Sequence, residues 1–92
     1  MNEKMLSLPF VRVSEMPVGA SADLWATSET GNWSADNRAG ASYAVALLDY
    51  MRERGAPNML GSVVRAMIDK GHYGGVEVGF LHAVATAAIQ VA

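Results

Sequence analysis

Apolar residues recur at helical spacing through the middle and end of the chain, and at strand spacing only near its start. From residue 35 to 54, Gly40, Tyr43, Ala44, Leu47, Leu48 and Met51 follow the i, i+3, i+4, i+7 rule, with Arg38, Ser42, Asp49 and Glu53 opposite. Ser34 is the expected N-cap, Asp36 an anion in the first turn, and Arg52 and Arg54 cations in the last. Gly55 and Pro57 end this helix. A second helix is expected over 59–70, capped by Asn58, with a stripe of Leu60, Val63, Val64, Met67 and Ile68 and with Gly71 as its C-cap. The third, over 75–90, is apolar nearly all round. At about 100° per residue, His82, Thr86 and Gln90 form a narrow polar strip, with Gly75 and Gly79 along it. Phe80, Leu81, Val84, Ala88 and Val91 make one apolar stripe, and Val78, Ala85 and Ile89 another. A bundle helix normally hides one face, and this one has more than one to hide. Val76, Val78 and Phe80 also alternate as in a strand, but the alanine-rich continuation favours the helix.

The first 33 residues follow a different rule. Leu6, Leu8 and Phe10 alternate with Ser7 and Pro9, then Val11 and Val13 flank Arg12, and Pro17 and Gly19 close the run. Pro9 restricts it to an edge strand or an irregular extended segment. Beyond it, Ser21 could cap one short turn; alternatively Leu24–Thr27 could pair with Phe10–Val13 as a ribbon, which needs a helix beneath it. The fold class is therefore mostly α: a compact bundle of three principal helices (35–54, 59–70, 75–90) in a domain over 34–92. An extended N-terminal arm over 1–33 precedes it, with room for one short β-ribbon.

Composition narrows the function classes. A chain of 92 residues makes one domain, and 51% hydrophobic against 17% charged is apolar for that size. Some of this apolar surface is expected to meet a partner. A net charge of −2 argues against electrostatic capture of nucleic acid or anionic lipid. With no cysteine, neither a disulfide framework nor a thiolate metal site is available. Glu3, Lys4, Pro9 and Arg12 interrupt any signal-peptide core, and the uncharged end from Val78 is too short for a membrane span. A soluble, cytoplasmic protein is expected, with no membrane partner.

Candidate chemistry concentrates in Gly71–His82, which holds both histidines and Glu77. His72, Glu77 and His82 are evenly spaced, but five helical residues turn about 140°, so Glu77 and His82 diverge and no metal site is expected. Glu77 falls on the core side. It is expected to cap its own helix or to meet Arg38, Arg65 or a tyrosine hydroxyl. Gly71, Gly75 and Glu77 are thus structural. No serine lies in a Gly-x-Ser-x-Gly context, and the glycines lack the Lys-Ser/Thr of a phosphate loop, so neither an enzyme nor a cofactor is expected. The first two helices could form a helix-turn-helix. The second, however, offers only Ser62, Arg65 and Asp69, and the third His82, Thr86 and Gln90, too little for direct reading of nucleic acid. Tyr43 and Phe80 are expected in the core. Trp25, Tyr73, Val78, His82 and Ile89 are the expected partner-binding residues.

Three segments also carry a resemblance: Trp33-Ser-Ala-Asp-Asn-Arg-Ala-Gly-Ala-Ser-Tyr-Ala, Leu60-Gly-Ser-Val-Val-Arg-Ala-Met-Ile and Gly74-Gly-Val-Glu-Val-Gly-Phe-Leu-His. Over residues 33–85 they resemble small proteins encoded on bacterial integrative and conjugative elements. That group contains antiactivators of acyl-homoserine-lactone quorum sensing. The resemblance implies a protein partner, a LuxR-type transcription activator with room for a second regulator, and repression of conjugative transfer. It implies no catalytic residue. The alternatives are an anti-CRISPR-type inhibitory binder and a small DNA-binding repressor.

Overall fold

The computed structural model describes residues 5, 7–16 and 19–90; Glu3, Lys4, Leu6, Pro17 and Val91, named above, lie outside them. Strand β1 (Arg12–Met16) pairs antiparallel with β2 (Gly19–Asp23), from Arg12 opposite Asp23 to Met16 opposite Gly19. The ribbon thus shares only Arg12 and Val13 with the expected Phe10–Val13 strand, and its partner strand lies before Leu24–Thr27. The Asp23 carboxylate takes the Trp25 backbone N–H at 3.0 Å, which turns the chain and ends β2 before Leu24 can extend it. One bond of the expected pairing remains, from Ala26 N–H to the Phe10 carbonyl at 2.7 Å.

Three helices lie wholly within the described residues: α1 (Trp33–Arg54), α2 (Asn58–Lys70) and α3 (Gly75–Gln90). Helix α1 begins earlier than expected because Asn32, not Ser34, is its N-cap, the Asn32 side chain accepting Ala35 N–H at 3.0 Å. Helix α2 starts behind Pro57 without a side-chain cap, so Asn58 is its first residue and not its cap. Gly55 and Gly71 close α1 and α2 at φ 61° and 68°, a left-handed conformation that only glycine adopts cheaply.

The arm and the helices share one core. Leu8, Phe10 and Trp25 come from the arm, Ala44 and Leu47 from α1, Met59, Val63 and Met67 from α2, and Val76 and Phe80 from α3. Phe10, Trp25, Tyr43 and Phe80 stack as a tilted and edge-on aromatic cluster, tightest between Trp25 and Phe80 with centroids 4.9 Å apart. The boundary at residue 33 therefore separates two styles of chain but not two cores. Lys70 Nζ fastens the hairpin end to the last turn of α2, 2.6 Å from Asp23 Oδ2.

Helices α1 and α3 meet through glycine. A Cβ on Gly40 would overlap the Val76 carbonyl and Phe80 N, and one on Gly79 would overlap the Asn37 backbone. Gly75 lies close to Asp36, less tightly, with 2.8 Å between an added Cβ and the Asp36 Cβ. Gly75 and Gly79 are thus buried against α1 and do not lie on an outward polar strip with His82. Their missing side chains let α1 approach the beginning of α3 closely enough to place Asp36 beside it.

Candidate functional site

The start of α3 is where the arm, α1 and the α2–α3 connection converge. Glu77, in the first turn, is almost wholly buried. Its Oε1 folds back to accept Gly74 N–H at 2.7 Å, and its Oε2 accepts the Trp25 indole N–H at 2.8 Å. The capping role expected for Glu77 is therefore present, but its inward partner is Trp25, and not Arg38, Arg65 or a tyrosine. Trp25 is correspondingly only 2% exposed, so it offers a partner no surface. It pins the arm into the core through its ring and its N–H together.

Two further carboxylates join Glu77. Glu29, at the end of the arm, accepts Gly75 N–H at 3.2 Å and Val76 N–H at 3.3 Å, occupying two of the amides that a helix start leaves unbonded. A Cβ on Gly74 would land on the Glu29 carboxylate, so a larger residue there would make the Glu29 side chain shift from this capping position. Asp36, buried in α1, accepts Thr30 N–H at 3.0 Å and the Thr30 hydroxyl at 2.7 Å, which fixes the turn between Glu29 and α1. Gly31, at φ 88°, makes that turn feasible. His72, largely exposed, sets Nε2 3.5 Å from Glu29 Oε1.

The three acids divide in character. Burial pushes the Glu29 carboxyl above its ordinary value, opposed by the Val76 N–H and reinforced by the Glu77 and Asp36 carboxylates beside it. The Thr30 hydroxyl bond leads in holding Asp36 below its ordinary value, against the cost of burial. For Glu77, burial pushes upward, but the bonds from Trp25 and Gly74 outweigh it and the carboxyl lies below its ordinary value. Glu29 is thus the member that takes up a proton first. One ligand atom each from Glu29, His72 and Glu77 lies within 4.8 Å of the others. No metal site was expected among His72, Glu77 and His82, yet His72, which precedes the helix, approaches Glu77 from the loop. His82 stays apart, exposed on α3.

The remaining predicted binding residues lie on the surface. Tyr73 is 58% exposed in the α2–α3 connection and Ile89 is 83% exposed near the end of α3. Val78 is half-buried; His82 and Ala85 are exposed. Residues 78, 82, 85 and 89 fall within about 60° of one another around the helix, so they form one outward strip. Leu81 and Ala88 flank it, both exposed. The second apolar stripe of α3 is therefore half-buried at Val78 and surface at Ala85 and Ile89. On its α1 side, the helix borders an open groove of about 560 Å³ with Ala41, Val45 and Leu48 facing Ala83 and Ala87, and with Arg38 and Arg52 also lining it.

The sequence pointed to Glu77 but missed Glu29 and the depth of Asp36. Asn32 followed by Ala35 and Asp36 was a readable helix-start signal. Nothing local marked Glu29, whose partners lie 46 and 47 positions away.

Fold and site together define a small, mostly helical protein whose N-terminal hairpin and arm complete the helical core. No protein-family model matches the chain, and no curated protein or solved structure is significantly similar to it. No helix among the described residues is long and apolar enough to cross a membrane.

Proposed function

We propose that this chain is a regulatory protein-binding module of the cytoplasm, an antiactivator that sequesters a LuxR-type quorum-sensing transcription activator. In that role it holds conjugative transfer of a mobile element off. The observation that carries the reading is the outward face of α3, where Leu81, Ala85, Ala88 and Ile89 are exposed on a helix that has already supplied Val76 and Phe80 to the core. Exposing a continuous apolar strip has a solvation cost, which occupation by a partner removes. The resemblance of residues 33–85 to conjugative-element antiactivators supports the choice of partner. Binding of this kind needs no site chemistry. It shifts the activator away from DNA to the extent that the chain prefers the free activator over the DNA-bound one.

Pull-down of the activator with and without its DNA tests this. Capture of the free activator, weakened by DNA, is expected. Absence of capture in both conditions contradicts the reading, and a salt-dependent shift of DNA by the chain alone would favour a repressor.

A further inference from the structure

We propose that Glu29, His72 and Glu77 form a zinc site that clamps the arm to the α2–α3 connection and to α3. Their ligand atoms lie within 4.8 Å of one another, and the separation of 3.5 Å between His72 Nε2 and Glu29 Oε1 is close to the tetrahedral edge of about 3.4 Å set by bonds of about 2.1 Å. An imidazole nitrogen with two carboxylate oxygens is a donor set suited to zinc and too nitrogen-rich for calcium or magnesium.

The outer shell is already in place. Gly75 and Val76 N–H groups orient Glu29, and Gly74 N–H and the Trp25 indole orient Glu77. Each carboxylate oxygen has a further lone pair beyond the one such a donor takes. Outer-shell bonds of this kind hold metal ligands in position before the ion arrives. Charge favours the ion as well. Glu29, Asp36 and Glu77 crowd together, and among the described residues the lysine and arginine ion pairs go to Asp23 and Asp49 and not to them. His72 is exposed, so its side chain can shift to draw the ligand atoms, which lie within 4.8 Å of one another, to bonding distance, and a solvent molecule would take the fourth position.

The test is zinc titration of the metal-stripped full chain, followed by calorimetry and thermal melting, with calcium as the comparison ion. One saturable zinc equivalent and a raised Tm are expected, with calcium at least tenfold weaker. His72→Ala should weaken zinc binding tenfold or more while leaving the metal-free Tm unchanged, and His82→Ala should change neither. Binding that survives in His72→Ala, binding lost equally in His82→Ala, calcium matching zinc, or no saturable binding would each overturn the site.

Discussion

Glu77 and Trp25 hold each other in place across 52 positions of sequence, and each would be costly alone. A buried carboxylate without donors and a buried indole N–H without an acceptor both lose the solvation that water gave them. Glu77→Ala strands the Trp25 and Gly74 N–H groups, so it should cost about 2–4 kcal/mol. Against a total on the order of 5–14 kcal/mol for this length, that is a large share. A chemical-denaturation midpoint equal to that of the parent chain would show that the pair carries no weight. The neighbouring acids make opposite contributions to pH dependence. Asp36 and Glu77, with carboxyls held below their ordinary values, stabilise the fold above about pH 4, and this support is lost as pH falls through their folded values. Glu29, raised, contributes stability below its ordinary 4.5 that is lost as pH rises through its folded value. Carboxyl carbon-13 titration by NMR of the metal-free chain should place Glu29 above 4.5 and Glu77 below 4.5. The reverse order would contradict the hydrogen-bond assignments.

The pairing of α1 with α3 rests on absent side chains. Gly40→Ala pushes a methyl group into the Val76 carbonyl, and backbone on both helices must separate to admit it. A loss of about 3 kcal/mol is expected, despite the roughly 1 kcal/mol by which alanine favours a helix over glycine. Gly61 in α2 has nothing within 4 Å of its absent Cβ, so Gly61→Ala should gain up to about 1 kcal/mol. Thermal melts of the two variants should move in opposite directions; movement in the same direction would place the helix contact elsewhere. At this scale the sequence was informative. The stripe of α1, the C-cap glycines at 55 and 71 and the bounds of α3 could be read from periodicity, because each depends on neighbours within a few positions. The run Ala39-Gly40-Ala41 has short side chains, and it is at Gly40 that α3 comes close. What could not be read was which arm segment lies on α3. Glu29 reaches Gly75 and Val76, and Phe10 and Trp25 reach Phe80, through contacts between positions far apart, and no local pattern records them. The ribbon slipped from its expected place because one aspartate side chain captured one amide. That competition is decided by a turn and not by the alternation of apolar residues.

For the molecule as a whole, the central feature is the division of α3. Its first turns are committed to the core and the carboxylate cluster, and its later turns carry apolar side chains outward. The helix thus has a buried end, anchored by the arm, and an exposed strip along Leu81, Ala85, Ala88 and Ile89. Ile89, at 83% exposure, makes little packing within the chain, so Ile89→Asp should leave the fold and its melting temperature unchanged. A charge placed in the strip should nevertheless impair association with an apolar partner surface, by tenfold or more if the residue is buried on binding. The most direct measurement is a competition between the chain and DNA for the activator. Fluorescence anisotropy of labelled operator DNA bound to the acyl-homoserine-lactone-loaded activator would be followed as the chain is added. The parent chain is expected to lower the anisotropy to the free-DNA value, and Ile89→Asp to need at least tenfold more protein to do so. Anisotropy that stays constant with the parent chain, or falls equally with a folded Ile89→Asp variant, would contradict it.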